Sequence, residues 1–150
     1  MDLNVKSVFF STQKFLPLLK KNASRENPSR VINIGSIDGI GTPIFETYPY
    51  SASKASVHHM TRVLAARLVK EDILVNAIAP GPFPSDMLGS AVAHNYEGII
   101  SRNPFHRMGR DEDVGGLALY LSSKAGSYTV GETITCDGGT ISATGHDLSE

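Results

Sequence analysis

Apolar and polar positions along this chain alternate between a helical period and short continuous apolar runs. Val5, Phe9, Phe15, Leu16 and Leu19 share helical spacing, so residues 4–21 are predicted to form an amphipathic helix. Asn22 to Arg30 is polar and holds Pro28, which reads as a loop. Val31-Ile32-Asn33-Ile34 is a short β-branched run, expected to be a buried strand. Gly35 to Pro49 carries three glycines and two prolines and is predicted to be a longer loop. Ser51 to Lys70 is rich in Ala and Leu and is expected to be helical. Ile73-Leu74-Val75-Asn76-Ala77-Ile78 is a second strand, stopped by Pro80-Gly81-Pro82. Residues 85–100 are expected to be helical and mobile. Asp111-Glu112-Asp113 puts acid at the start of a helix over 112–122, where it favours the dipole. Ile134-Thr135-Cys136 is a third strand, ended by Asp137-Gly138-Gly139.

Strands separated by helices imply βαβ units and a parallel sheet. The predicted fold class is therefore α/β: a partial, Rossmann-like, doubly wound sheet of about three strands with flanking helices. Three strands are few for this class, so the pattern suits part of a doubly wound domain better than a whole one.

Composition narrows the function without naming it. The chain has 150 residues, one domain's worth, with 41% apolar and 19% charged residues, which excludes a disordered chain. A net charge of −1 gives no electrostatic case for nucleic acid or an anionic membrane as partner. No segment approaches the roughly 18 apolar residues of a membrane span. Met1 to Lys6 lacks the charged-then-apolar order of a signal peptide. A single cysteine, Cys136, excludes an intrachain disulfide and fits a reducing compartment, so the expected location is cytoplasmic.

Tyr-x-x-x-Lys occurs twice, as Tyr50…Lys54 and Tyr120…Lys124. The spacing alone is weak evidence, but it puts both side chains on one helix face. Tyr50 opens a helix that follows a strand and a Gly-rich loop, which is the carboxyl edge of an α/β sheet, where ligands bind. Tyr120 and Lys124 close a helix on the other edge and are read as a packing residue and a dipole partner. A phenol beside an ammonium is drawn toward phenolate and can exchange a proton with an alcohol or carbonyl oxygen. The bland alternative is an amphipathic helix start with a solvated lysine. Ser36, at the end of the first strand, lies at the same edge, where its hydroxyl can polarise a carbonyl oxygen or simply form a turn. The small residues Ser51, Ala52, Ser53 and Ala55 allow a backbone or flat ligand to approach closely.

Asn4, Ile34-Gly35-Ser36, Tyr50-Ser51-Ala52-Ser53-Lys54, Val75-Asn76-Ala77-Ile78-Ala79-Pro80-Gly81 and Asp137-Gly138-Gly139 together resemble the C-terminal portion of a short-chain dehydrogenase/reductase. The likeness runs from about residue 3 to 140 and is greatest to the subgroup of β-ketoacyl carrier-protein reductases and sugar or polyol dehydrogenases. It implies one NAD(P)-binding Rossmann-like domain, of which residues 1–150 are the C-terminal part. It implies Tyr50 as catalytic acid/base and Lys54 as the residue that binds the nicotinamide ribose and lowers the Tyr50 pKa. It implies Ser36 as holder of the substrate oxygen and Asn4 as anchor of a water linking Lys54 to solvent. Pro80-Gly81 would lie beside the nicotinamide. Ser85 would keep the hydroxyl that the family usually places there on a threonine. The cofactor implied is NADP or NAD, the substrate a small alcohol or carbonyl compound, and the assembly a homo-oligomer through helices 4–21 and 50–70.

The chain departs from the family in lacking the upstream half, roughly 90–100 residues by usual domain size. That half carries the Gly-rich phosphate loop, the cofactor-selecting residue and an Asn-Asn-Ala-Gly stretch. Gly35-Ser36-Ile37-Asp38-Gly39-Ile40-Gly41 has glycine spacing after a strand, but no helix follows it to hold a phosphate, so it is read as the loop carrying Ser36. His58 and His59 are adjacent on a helix and cannot chelate one ion; His94, His106 and His146 are scattered, so no metal site is expected. Residues 85–108 are expected to be a mobile substrate lid, with Met87, Leu88, Ile99, Ile100, Phe105 and Met108 either lining it or packing. Two other readings compete with the oxidoreductase: an inactive fragment or interaction protein that associates with itself or a full-length relative, and an epimerase or dehydratase of the extended branch. Asp137-Gly138-Gly139 argues against the latter.

Overall fold

A computed structural model describes residues 1–43, 45–86, 88 and 96–143. A π-helical turn, Asp2–Lys6, leads into helix α1, Ser7–Lys21, followed by strand β1, Ser29–Ile34. A 3-10 turn, Ile37–Gly39, precedes the long helix α2, Tyr48–Leu68. A second 3-10 turn, Val69–Glu71, leads to strand β2, Ile73–Pro80. Helices α3, Tyr96–Arg102, and α4, Asp111–Ser122, precede strand β3, Thr133–Cys136. The sheet order is β1-β2-β3 and both pairings are parallel, with Val31 opposite Val75 and Ala79 opposite Thr135. Among the described residues, no helix is long and apolar enough to cross a membrane.

The central strand explains the core. From Ile73 to Ala79 every residue of β2 is buried, as expected of a strand paired on both edges and covered by helices. Ile73 and Val75 pack with Ala65 of α2, and Leu16 and Leu19 of α1 close over them. Asn76, in the middle of this strand, is satisfied: its Nδ2 donates to the Thr129 carbonyl at 2.7 Å and its Oδ1 accepts the Glu132 N–H at 3.0 Å.

Several expectations need correction. The first strand was expected to be buried, but β1 is an edge strand. Among the described residues it pairs only with β2, most of its residues are half-buried, and Ile34 is 51% exposed. The second helix starts at Tyr48, inside the expected loop, because Pro49 is tolerated in a first helical turn. It ends at Leu68, and residues 69–71 tighten into a 3-10 turn. Lys124 lies beyond α4 in a 3-10 turn, Lys124–Gly126, and not in the helix whose dipole it was expected to complement. Of the expected helix over 85–100, Asp86 and Leu88 are helical and α3 covers the end; Met87 and Gly89 to Asn95, and with them much of the expected lid, lie outside the described residues.

The loop after β1 lies directly on α2, and two glycines permit it. A Cβ on Gly39 would sit 2.6 Å from the Ala55 nitrogen and 2.6 Å from the Lys54 carbonyl carbon. Both are helix backbone and cannot move aside. Gly39→Ala should therefore destabilise the chain by about 1–3 kcal/mol. Gly115 and Gly116 of α4 have open space where a Cβ would go, so alanine at either should stabilise by about 0.5–1 kcal/mol. Urea midpoints of the three variants check both signs.

Candidate active site

Four of the singled-out residues lie around the carboxyl end of β1 and the first turns of α2. Ser36 lies two residues past β1 and is 8% exposed. Its Oγ accepts the Asp38 N–H at 3.2 Å and so caps the 3-10 turn. A hydroxyl has one proton and two lone pairs, so this bond leaves the Ser36 proton to donate elsewhere. Tyr50 is half-buried in the first turn of α2. Lys54 follows one turn later on the same face, its Nζ 5.6 Å from the centre of the Tyr50 ring. The Lys54 ammonium donates to the Ile34 carbonyl at 2.9 Å, and burial pushes its pKa below the ordinary lysine value. One of its three protons is thus committed to the strand end.

Asn4 approaches the same helix from the opening π-turn. Its Nδ2 donates to Ser53 Oγ at 2.9 Å, and Ser53 in turn donates to the Tyr50 carbonyl at 2.7 Å. Asn4 is therefore tied to the first turn of α2 through a serine that is 2% exposed. Asn4 and Lys54 also line one groove of about 580 Å³ between α1 and the uncovered edge of β1.

Pro80, Gly81 and Ser85 belong to the end of the neighbouring strand. The Gly81 N–H donates to the Cys136 carbonyl at 3.0 Å, and a Cβ on Gly81 would meet Asp137 Cα at 2.8 Å. The glycine thus lets the ends of β2 and β3 touch. Ser85 is exposed, and its Oγ accepts the Leu88 N–H at 3.1 Å. The second Tyr-x-x-x-Lys pair is elsewhere: the Tyr120 hydroxyl is 2.8 Å from Thr129 Oγ1, a bond between α4 and the loop before β3.

Three residues around this edge were not foreseen. His58, considered only as a metal ligand, is 4% exposed and accepts the Ser36 backbone N–H at Nε2, 3.3 Å away. Its place one turn after Lys54 was the available signal. Asn103, 2% exposed, donates to the Asp137 carbonyl at 2.8 Å and accepts the Phe105 N–H at 2.9 Å. It holds the turn at Asp137 against the segment after α3. Arg107 forms two bonds to Asp113, at 2.6 and 3.0 Å, beside a pocket of about 320 Å³ that Pro82, Phe83 and Cys136 also line. Nothing in the sequence pattern marks Asn103 or Arg107.

A family model described as enoyl-(acyl carrier protein) reductase matches residues 1–141. The chain belongs to the short-chain dehydrogenase/reductase family. It is 46% identical over 142 residues to a rhamnolipids biosynthesis 3-oxoacyl-[acyl-carrier-protein] reductase of Pseudomonas aeruginosa, covering 93% of this chain and 55% of that protein. The solved Pseudomonas aeruginosa RhlG/NADP active-site complex superposes with a TM-score of 0.86 at 47% identity, over 92% of this chain and 55% of that one. A putative 2-deoxy-D-gluconate 3-dehydrogenase of Agrobacterium tumefaciens with bound NADP gives a TM-score of 0.83 at 34% identity, over 95% of this chain and 57% of that one. The chain spans about half the length of the curated relatives it matches. The partial Rossmann-like sheet expected from the strand count is thus the fold of this family.

The Arg107–Asp113 pair has a pH signature. The Arg107 guanidinium, helped by the Arg110 N–H, holds the Asp113 carboxyl at about 2, below its ordinary 3.8. A lowered carboxyl pKa stabilises the fold fully above the unfolded value of 3.8, and the contribution disappears as pH falls from 3.8 toward 2. Carboxyl-carbon NMR titration should place Asp113 at about 2, and Arg107→Met should return it toward 3.8.

Proposed function

We propose that the polypeptide carrying this chain is an NAD(P)-dependent oxidoreductase acting between an alcohol and a carbonyl compound, with Tyr50 as the proton-transferring acid/base. The observation that carries this reading is the pairing at one sheet edge of a Ser36 hydroxyl with an uncommitted proton and a Lys54 ammonium held at the end of the preceding strand. Ser36 donates to the substrate oxygen. Tyr50 passes it a proton in reduction and removes one in oxidation. Lys54, with two protons to spare after its bond to Ile34, holds the ribose hydroxyls beside the Tyr50 ring. Asn4 fixes the first turn of α2 through Ser53. When bound, the nicotinamide supplies or accepts the hydride.

The residues of this chain suit the nicotinamide side of the cofactor. Lys54 offers donors, and the close contact of Gly81 with Asp137 keeps the ends of β2 and β3 together, with Pro80 and Ser85 flanking. No glycine-rich turn opening a helix occurs among the described residues, so the phosphates have no such cradle here. NADP is the first cofactor to try, since the solved relatives RhlG and the Agrobacterium tumefaciens protein hold it. A 3-oxoacyl thioester is the first substrate to try, after the Pseudomonas aeruginosa relative.

In the active polypeptide, Tyr50→Phe should lower kcat at least about 100-fold, because general acid–base catalysis is lost while packing changes little. Tyr120→Phe removes only the bond to Thr129 and should stay within a few-fold. Nicotinamide absorbance with a panel of ketones and thioesters reads both. Equal losses would mean that the wrong pair has been chosen.

The same reading includes pairing of two copies through residues 4–21 and 50–70. Phe9, Phe10, Phe15 and Leu18 of α1 are 41–65% exposed, and the outer edge of β1 has no strand beside it. The 150-residue chain should therefore sediment as a dimer or larger species. A monodisperse monomer with a sharp, reversible melt would count against it.

A further inference from the structure

The Ser36 turn is held by a side chain to which the proposed chemistry assigns no role. The His58 ring lies between the loop and α2, 4% exposed. A Cβ on Gly35 would run into its Nε2, and a Cβ on Gly39 would come within 2.9 Å of its Cε1. The two glycines that flank Ser36 and its turn thus leave room for this ring. Nε2 faces the Ser36 N–H at 3.3 Å. An N–H can only donate, so Nε2 is unprotonated and the ring proton is on Nδ1.

We propose that His58 is a positioning residue whose neutral imidazole, accepting the Ser36 backbone N–H at Nε2, fixes where the Ser36 hydroxyl points. This rests on the reading above that Ser36 holds the substrate oxygen. Protonated, the ring would present N–H against N–H and release the turn. The surroundings keep it neutral. Burial, the largest cause, pushes its pKa below the ordinary 6.5; the Gly39 backbone works against this, and Lys54 and Arg62, one turn away on either side along α2, add to the lowering. From the turn, Asp38 is the one acidic group nearby in sequence, and burial raises its own pKa. Neighbouring β1 and β2 carry no charged side chain next to Ile34 or Ile78.

The first test needs no variant. Ring-nitrogen NMR of the 150-residue chain at neutral pH should show His58 as the Nδ1–H tautomer; an Nε2–H tautomer overturns the proposal. The second is amide hydrogen exchange at Ser36. His58→Leu removes the acceptor and should speed exchange about 10-fold, the scale of one hydrogen bond. His58→Gln offers an amide oxygen at similar reach and should restore it to within a few-fold. Val57→Ala, a cavity on the next residue of α2, should not single out Ser36. If His58→Leu leaves the Ser36 amide as slow as in the parent chain, the ring only fills space and the proposal fails. In the active polypeptide, His58→Leu should lower kcat with the KM for nicotinamide cofactor unchanged, and Gln should recover it. If Ser36→Ala costs activity but His58→Leu does not, the proposal also fails. If Ser36→Ala itself costs nothing while the amide still loosens in His58→Leu, the turn-holding stands and the catalytic reading of Ser36 falls.

Discussion

The close seating of the β1–α2 loop on helix α2 is the contact on which the rest of the site depends. It exists because two positions lack side chains. Gly39 presses on the backbone between Lys54 and Ala55, and Gly35 makes room for the His58 ring. With the loop at that distance, Ser36 caps its own 3-10 turn and Lys54 reaches back to the end of β1. A methyl group at Gly39 would separate loop from helix and move the serine and the lysine relative to each other. The site is therefore a consequence of backbone packing before it is an arrangement of functional groups.

The second layer is the difference between the two sides of the sheet. β2 is buried along nearly its whole length, and its one polar interior residue, Asn76, is fully bonded to the segment that leads into β3. β1 has no such cover. Its inner pairing with β2 is regular, yet Ile34 remains exposed, and α1 leaves a groove beside it. Rigidity on the β2 side holds the ends of β2 and β3 together at Gly81 and Asp137. Asn103 and the Arg107–Asp113 pair then brace the same edge from the far side.

The sequence revealed the elements well because each carried its own signal: a β-branched run, an Ala-rich stretch, or a Pro-Gly stop. It revealed the candidate site in part. Tyr50, Lys54 and Ser36 are marked by spacing and by position relative to a strand, and the fold places all three around the end of β1 and the first turns of α2. A run such as Val31–Ile34 looks alike whether one or both edges are paired, so its pattern reads as buried while the small strand count points to an open edge. Local pattern does not report the number of neighbouring strands. Asn103 and Arg107 were missed because their partners, Asp137 and Asp113, are fixed by tertiary packing around a turn and a helix start. His58 was misjudged for a different reason: it was tested against metal chemistry, whereas its partner is a backbone N–H, which no side-chain motif records.

The Lys54–Ile34 bond joins these two layers. In a parallel strand the N–H and C=O of one residue point to the same side, and successive residues alternate. Gly35 donates its N–H to Ile78 of β2, so Ile34, one residue earlier, aims its carbonyl at the open edge. An unpaired carbonyl there calls for a donor. Lys54 supplies it at 2.9 Å, with its ammonium partly withdrawn from water and its pKa lowered as a result. The cation proposed to hold the ribose hydroxyls is thus also the group that satisfies the end of the uncovered strand. Any change in what lies beside β1 alters the demand on Ile34 and hence the position of Lys54. Coverage of the edge and chemistry at the site are set by the same hydrogen bond.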